Sequence, residues 1–186
     1  MAAHNAKTFD AHRLVRWVYS NGLYDQYADI VSGFADTLPF FKTLYRLPNY
    51  KLPTVVSHVL GSAAFTQHDA MEDSKILQQV CQQLSESSLH TYSFSIQAAL
   101  HGVKRHEACD ANLSSLTPLV KDKLISMATA TRIASSGLRL TDIQLAHKRS
   151  GADGVKHLMQ EKDSNGRVRV TNSAATLKKL MLFFAK

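Results

Sequence analysis

His4-Asn5-Ala6-Lys7-Thr8-Phe9-Asp10 is the stretch on which the reading of the fold turns. It leads into residues 11–19, where Leu14, Trp17 and Val18 recur at helical spacing and Asp10 stands at the N-cap position. Asn21-Gly22 then ends the helix. Downstream, the apolar residues 30–34 suit a short strand running into Asp36-Thr37-Leu38-Pro39, where proline forbids central pairing. Leu52, Val55, Val56, Val59 and Leu60 follow the i, i+3, i+4, i+7, i+8 rule, with Pro53 at an early helical position and Gly61 as the stop. Residues 69–84 predict a further helix, its first turns carrying Asp69, Glu72 and Asp73 where the helix dipole favours acids, and residues 88–103 predict another.

A second motif, His68-Asp69-Ala70-Met71-Glu72-Asp73, follows Asp10 at a distance of 58 residues. With these two motifs the chain resembles the DEDDh exonucleases of the DnaQ-like, RNase H-like superfamily. Their second motif reads His-Asn and then Phe/Tyr-Asp, and their third reads His-x-Ala-x-x-Asp. Ala35-Asp36-Thr37-Leu38 is similar to the family's Asp-Thr-Leu after a strand, and Tyr50-Lys51-Leu52 running to Leu60-Gly61 to its helix ending in Leu-Gly. Four features in order are more specific than any one of them.

The resemblance implies a two-ion 3′-5′ exonuclease. Two magnesium or manganese ions would sit among carboxylates, one activating a water and the other steadying the leaving 3′ oxygen. Carried over by residue, Asp10 and Asp73 would be metal ligands, His68 would take the proton from the attacking water, and Asn5 would contact nucleic acid. The departure from the pattern is severe: none of the eleven aspartates is followed two positions later by glutamate, so the family's first motif, Asp-x-Glu, is missing. The expectation is therefore weak or absent metal binding, and an inactive or very weak enzyme truncated from a longer parent. A strand reduced to a stub ending at His4 would leave an exposed sheet edge open to a protein partner.

Blander readings stand beside these. Asp10 serves equally as a helix N-cap, and Thr66-Gln67-His68-Asp69 as a variant capping box. His101, His106 and Cys109 lack an obvious fourth ligand for zinc, and Cys81 reads as a small buried hydrophobe.

Composition shifts near residue 110, with a break at Ala108-Cys109-Asp110-Ala111-Asn112. Beyond it, short helices are predicted over residues 126–135, 141–149, 152–162 and 173–184, the last with Leu177, Leu180, Met181 and Phe184 on one face. Residues 167–170 read as extended. Ser136-Gly137-Leu138, Leu145 to Gly151 and Arg169-Val170-Thr171 resemble the tail of fish proteins related to the exonuclease-like C-terminal region of the longest promyelocytic leukaemia protein isoform. Arg132, Arg139, Lys148, Arg149 and Lys156 could track a phosphate backbone there; the same helices suit a packing subdomain equally.

Charge is uneven. Of the net +7, residues 1–75 hold 7 Lys and Arg against 7 Asp and Glu, and residues 76–186 hold 15 against 8. A basic surface draws polyanions, although a charge spread this thinly is also an ordinary solvated face. Two cysteines cannot build a disulfide framework, and no apolar run reaches membrane-spanning length. The sequence thus predicts a mostly α protein with a small remnant sheet: a truncated RNase H-like α/β domain over residues 1–108 and a basic helical subdomain over 113–186. Its expected partners are DNA or RNA 3′ ends, or a protein at the sheet edge, with no membrane. The expected compartment is intracellular, nuclear or cytoplasmic. A non-catalytic nucleic-acid- or protein-binding scaffold is the alternative function.

Overall fold

The computed structural model describes residues 1–61, 69–83, 89–163 and 166–184, which form a mostly α chain with one small mixed sheet. Two compact units divide it, Met1–Val103 and Lys104–Lys186.

In the first unit, β1 (Ala2–Ala3) runs parallel to β2 (Gly33–Asp36), with Ala2 opposite Ala35 and Ala3 opposite Asp36. Antiparallel β3 (Ser93–Ser95) borders β2 on the other side, placing Phe34 opposite Phe94 with their rings stacked 5.7 Å apart. The order β1-β2-β3 leaves β1 at an edge, where no second strand pairs with it among the described residues. Residues 88–103 are therefore not one helix. Ser93-Phe94-Ser95 alternates with period two, and the open ladder of β2 captures it ahead of the helix that follows.

Helix α1 (Asp10–Ser20) buries Ala11, Val15 and Val18 instead of the predicted face with Trp17, which is 59% exposed. Its surroundings explain the choice: Ala6, Phe34, Ile96, Ala99 and Val103 make a tight layer that admits small side chains and has no room for an indole. Helix α2 (Tyr24–Ile30) takes the first part of the expected strand, so that β2 starts three residues late, at Gly33. Short α3 (Thr37–Leu44) has no counterpart among the predicted elements; Pro39 falls in its first turn, where no amide hydrogen bond is lost. Helix α4 (Leu52–Leu60) ends at Gly61 with φ +79°, as its apolar spacing and terminal glycine predict. With α5 (Ala70–Gln82) it closes a second core of Phe40, Phe41, Val55, Val56, Ile76 and Val80.

Helix α6 (Ile96–Asn112) continues through the break expected at residues 108–112. Ala108 and Ala111 favour helix there, burial of Cys109 in the core anchors it, and Asn112 ends it with its side chain engaged.

The second unit follows with a 3₁₀ turn (Leu113–Leu116), α7 (Thr117–Lys121), α8 (Met127–Ser135), α9 (Leu140–Gln160) and α10 (Ala174–Phe184). Ser126 caps α8 by accepting from the Thr129 amide. Helix α9 breaks at Ser150 and Gly151, where the sequence places a stop, and Gly151 takes φ +56°. It starts at Leu140, one residue before the expected Thr-Asp signal, because the Asp142 carboxylate accepts from the Arg139 amide at 2.7 Å. Leu116, Leu119, Ile133, Ile143, Met159 and Leu180 are fully buried at its centre. No helix among the described residues is long and apolar enough to cross a membrane.

Candidate functional site

The carboxyl ends of β1 and β2 lie side by side, and one buried acid organises the turn that leaves them. Asp36, 5% exposed, accepts through Oδ1 from the amides of Asn5 (3.1 Å) and Leu38 (3.0 Å), and through Oδ2 from the amide of Lys7 (3.0 Å). It thereby caps α3 and clamps the Asn5 turn in a single set of bonds. Asn5 sits at φ +68°, a conformation asparagine tolerates better than most residues, and its side-chain oxygen accepts from the Thr8 hydroxyl. His4 is fixed from both sides: Nε2 donates to the Tyr50 carbonyl at 2.7 Å, and Nδ1 lies 3.0 Å from the Thr37 hydroxyl. Neither Asp36 nor His4 is among the site residues that the sequence suggests. The Asp-Thr-Leu stretch signals Asp36's position but not its buried role.

This clamp sets the start of α1. Asp10 is the first helical residue; Phe9 occupies the cap position and makes no side-chain capping bond, so the N-cap reading of Asp10 is corrected. On α5 the cap is Asp69, whose Oδ1 accepts from the amides of Met71 (2.9 Å) and Glu72 (3.0 Å). Asp73, one turn further on, is thus free of capping duty and half-buried.

Asp10 and Asp73 line the same cavity of about 680 Å³, together with His4, Phe9, Gln78 and Cys81. Asp10 is exposed as a residue, yet partial desolvation raises its carboxyl above the ordinary value of 3.8, and the nearby charge of Asp36 pushes the same way. A backbone hydrogen bond and the charges of Arg13 and His4 oppose that rise without cancelling it. Cys81 is half-buried at the cavity wall instead of fully buried, and burial pushes its thiol pKa up. His68, the expected proton acceptor, lies outside the described residues.

Among the described residues, no group of three or more His, Cys, Asp or Glu could hold a metal ion. Among the described residues, the two carboxylates that line the cavity do not by themselves fit a pair of magnesium or manganese ions, which needs a bridging acid between them. Likewise, His106 approaches Asp110 at 4.0 Å while Cys109 is buried in the core.

The second unit holds the charge. Residues 104–186 carry 15 Lys and Arg against 7 Asp and Glu, while residues 1–103 carry 7 against 8. The five cations singled out in the sequence separate by environment. Arg139 donates from Nε to the side-chain oxygen of buried Asn112 at 2.7 Å, and Asn112 in turn donates to the Ala134 carbonyl at 3.3 Å. Arg132, Lys148, Arg149 and Lys156 are exposed, and no ion pair among the described residues engages them. Arg169 ties the unit together by donating to the Ser136 carbonyl and the Glu161 carboxylate, with Leu138, Val170 and Thr171 buried around it. The Ser136-Gly137-Leu138 and Arg169-Val170-Thr171 stretches, 30 residues apart, thus meet in one packing arrangement.

Residues 112–186 match the family model described as PML, C-terminal domain. The resemblance read in the tail is supported by this match, which covers well under half of the 186 residues. The PML C-terminal match starts at Asn112, the residue whose amide joins α6 to Ala134 and Arg139. It does not extend to Asp10, Asp73 or the small sheet. No curated protein matches the chain, and no solved structure does.

Proposed function

We propose that this chain is an exonuclease-like module that binds nucleic acid without hydrolysing it, keeping the framework of a DEDDh site but not its full carboxylate set. One observation carries the reading. Asp10 and Asp73, on different helices and 63 residues apart in sequence, line one cavity together with β1 and the His4 that follows it.

That placement supports the DEDDh resemblance, because the family's second and third motifs serve a common pocket. The absence of any Asp-x-Glu pair in the sequence supports the loss of turnover. With no group of three or more metal-ligating side chains arranged to hold an ion among the described residues, and with the Asp36 carboxylate committed to backbone amides, Asp10 and Asp73 would lack the ligands to hold two divalent ions against a phosphodiester. Binding would rest on cations instead, and the exposed Arg132, Lys148, Arg149 and Lys156 supply a sequence-independent phosphate contact.

The purified chain and Asp73→Ala would be incubated with 3′-labelled single-stranded DNA in magnesium or manganese. A gel shift that weakens steeply with salt, without degradation, is the expected result. Metal-dependent laddering that Asp73→Ala abolishes would overturn the non-catalytic reading. Absence of any shift would overturn nucleic-acid binding altogether and direct attention to a protein partner at the β1 edge.

A further inference from the structure

Helix α1 carries an outward face that the cavity chemistry does not use. With Ala11, Val15 and Val18 turned inward, the 100° step per residue points Arg13, Arg16 and Trp17 the other way, with Phe9 leading into the same face. Trp17 is 59% and Phe9 48% exposed. Exposed aromatics occurring singly are ordinary, but these two share one face of a single helix and its cap position with cations.

The aromatics are interleaved with cations and do not form an apolar patch. The Arg13 guanidinium lies 4.0 Å from the centre of the Phe9 ring, and Lys7 is exposed just before it. From Ala11 to Ser20 the helix has no acidic residue. Phe9 and Trp17 are eight positions apart, or about 12 Å along a helix. A duplex stacks its bases about 3.4 Å apart, so that neighbouring bases cover each other's faces, and only an unpaired, extended strand could offer one base to each ring.

We propose that Trp17 and the face of Phe9 that Arg13 does not cover form a stacking platform for single-stranded nucleic acid, with Lys7 taking a flanking phosphate and Arg13 backing the Phe9 ring. Base stacking on aromatic rings beside a positive track is the usual means of gripping a single strand without reading its sequence. Phe9 also lines the cavity with Asp10 and Asp73, so a strand lying on the platform would run to its mouth. The inference rests on the nucleic-acid reading above and assigns it a surface on the first unit.

Trp17 is the sole tryptophan, which makes it a reporter of its own contact. The full chain would be titrated with oligo-thymidylate and with a duplex of equal length, reading tryptophan fluorescence and the anisotropy of labelled oligonucleotide. Expected are quenching of Trp17 by the single strand only, and affinity lowered about five- to hundredfold in Trp17→Leu or Phe9→Leu, the range that loss of one stacked base gives. Both positions are exposed, so the variants keep the fold, and circular dichroism would verify it. Undiminished affinity in both variants, with Trp17 fluorescence unchanged in the wild type, would overturn the platform while leaving nucleic-acid binding by the second unit intact. A wild-type chain that binds no oligonucleotide would overturn both readings. If Trp17 were then shielded from iodide as protein concentration rose, the face would belong to a contact between protein chains.

Discussion

Removing the Asp36 carboxylate should unfasten the turn on which the candidate site is built. Asp36→Ala leaves the amides of Asn5, Lys7 and Leu38 without their acceptor in a part-buried place. An unsatisfied donor costs roughly 1–3 kcal/mol, and partial access of water favours the low end for each, giving about 3 kcal/mol in total. Asp36→Asn behaves differently because of which oxygen bonds what. Oδ1 alone serves Asn5 and Leu38, so an asparagine carbonyl keeps both and loses only the Lys7 bond, a cost of about 1–2 kcal/mol. Urea unfolding followed by Trp17 fluorescence reports on α1, which starts directly after the turn of residues 4–9. At a slope of about 2 kcal/mol per molar urea, Asp36→Ala should lower the midpoint by about 1.5 M and Asp36→Asn by about half that. Equal losses in the two variants, or a loss under about 1 kcal/mol in Asp36→Ala, would refute the clamp.

Four other outcomes follow from particular residues. Asp10 has a pKa raised in the folded chain, chiefly by desolvation, so the native state binds more protons than the unfolded state as pH rises from 3.8, and stability falls across that window. Asp10→Asn should therefore be more stable than wild type at neutral pH, with the gain vanishing below the ordinary carboxylate range in urea titrations at several pH values. Arg139→Ala, which leaves the side-chain oxygen of buried Asn112 without a donor, should destabilise the second unit by about 1–3 kcal/mol. Lys148→Gln combined with Arg149→Gln should instead leave its stability unchanged and reduce the salt slope of single-stranded DNA binding by roughly 0.7 for each phosphate no longer neutralised. Tyr24 keeps a buried hydroxyl with no hydrogen-bond partner among the described residues, so Tyr24→Phe should be neutral or stabilise by up to about 1 kcal/mol in the same urea assay.

The local signals that were legible are those whose physics is local. Leu52 to Leu60 carries a proline, a five-residue apolar stripe and a terminal glycine, and it forms the helix they describe. Gly151 breaks α9 where the sequence stops it, since a residue needing φ +56° ends a regular helix whatever surrounds it. The Asp10 and Asp73 pairing was legible only through two motifs read together; either alone is an ordinary helix start, and α5 indeed uses Asp69 as its cap.

By itself, the chain's order of residues determined a helix-rich protein with one small sheet and a basic second part. Tertiary structure decided the rest. Ser93-Phe94-Ser95 became a strand because β2 offered it a ladder, and Trp17 turned to solvent because Ala11 and Val15 are the side chains of α1 that pack on Phe34, Ile96 and Val103. Asp36, read as part of a motif, proved to be the acceptor that holds three amides at once. Periodicity shows which residues can share a face, but only packing against distant parts of the chain selects the face that is buried and the carboxylate that is left free.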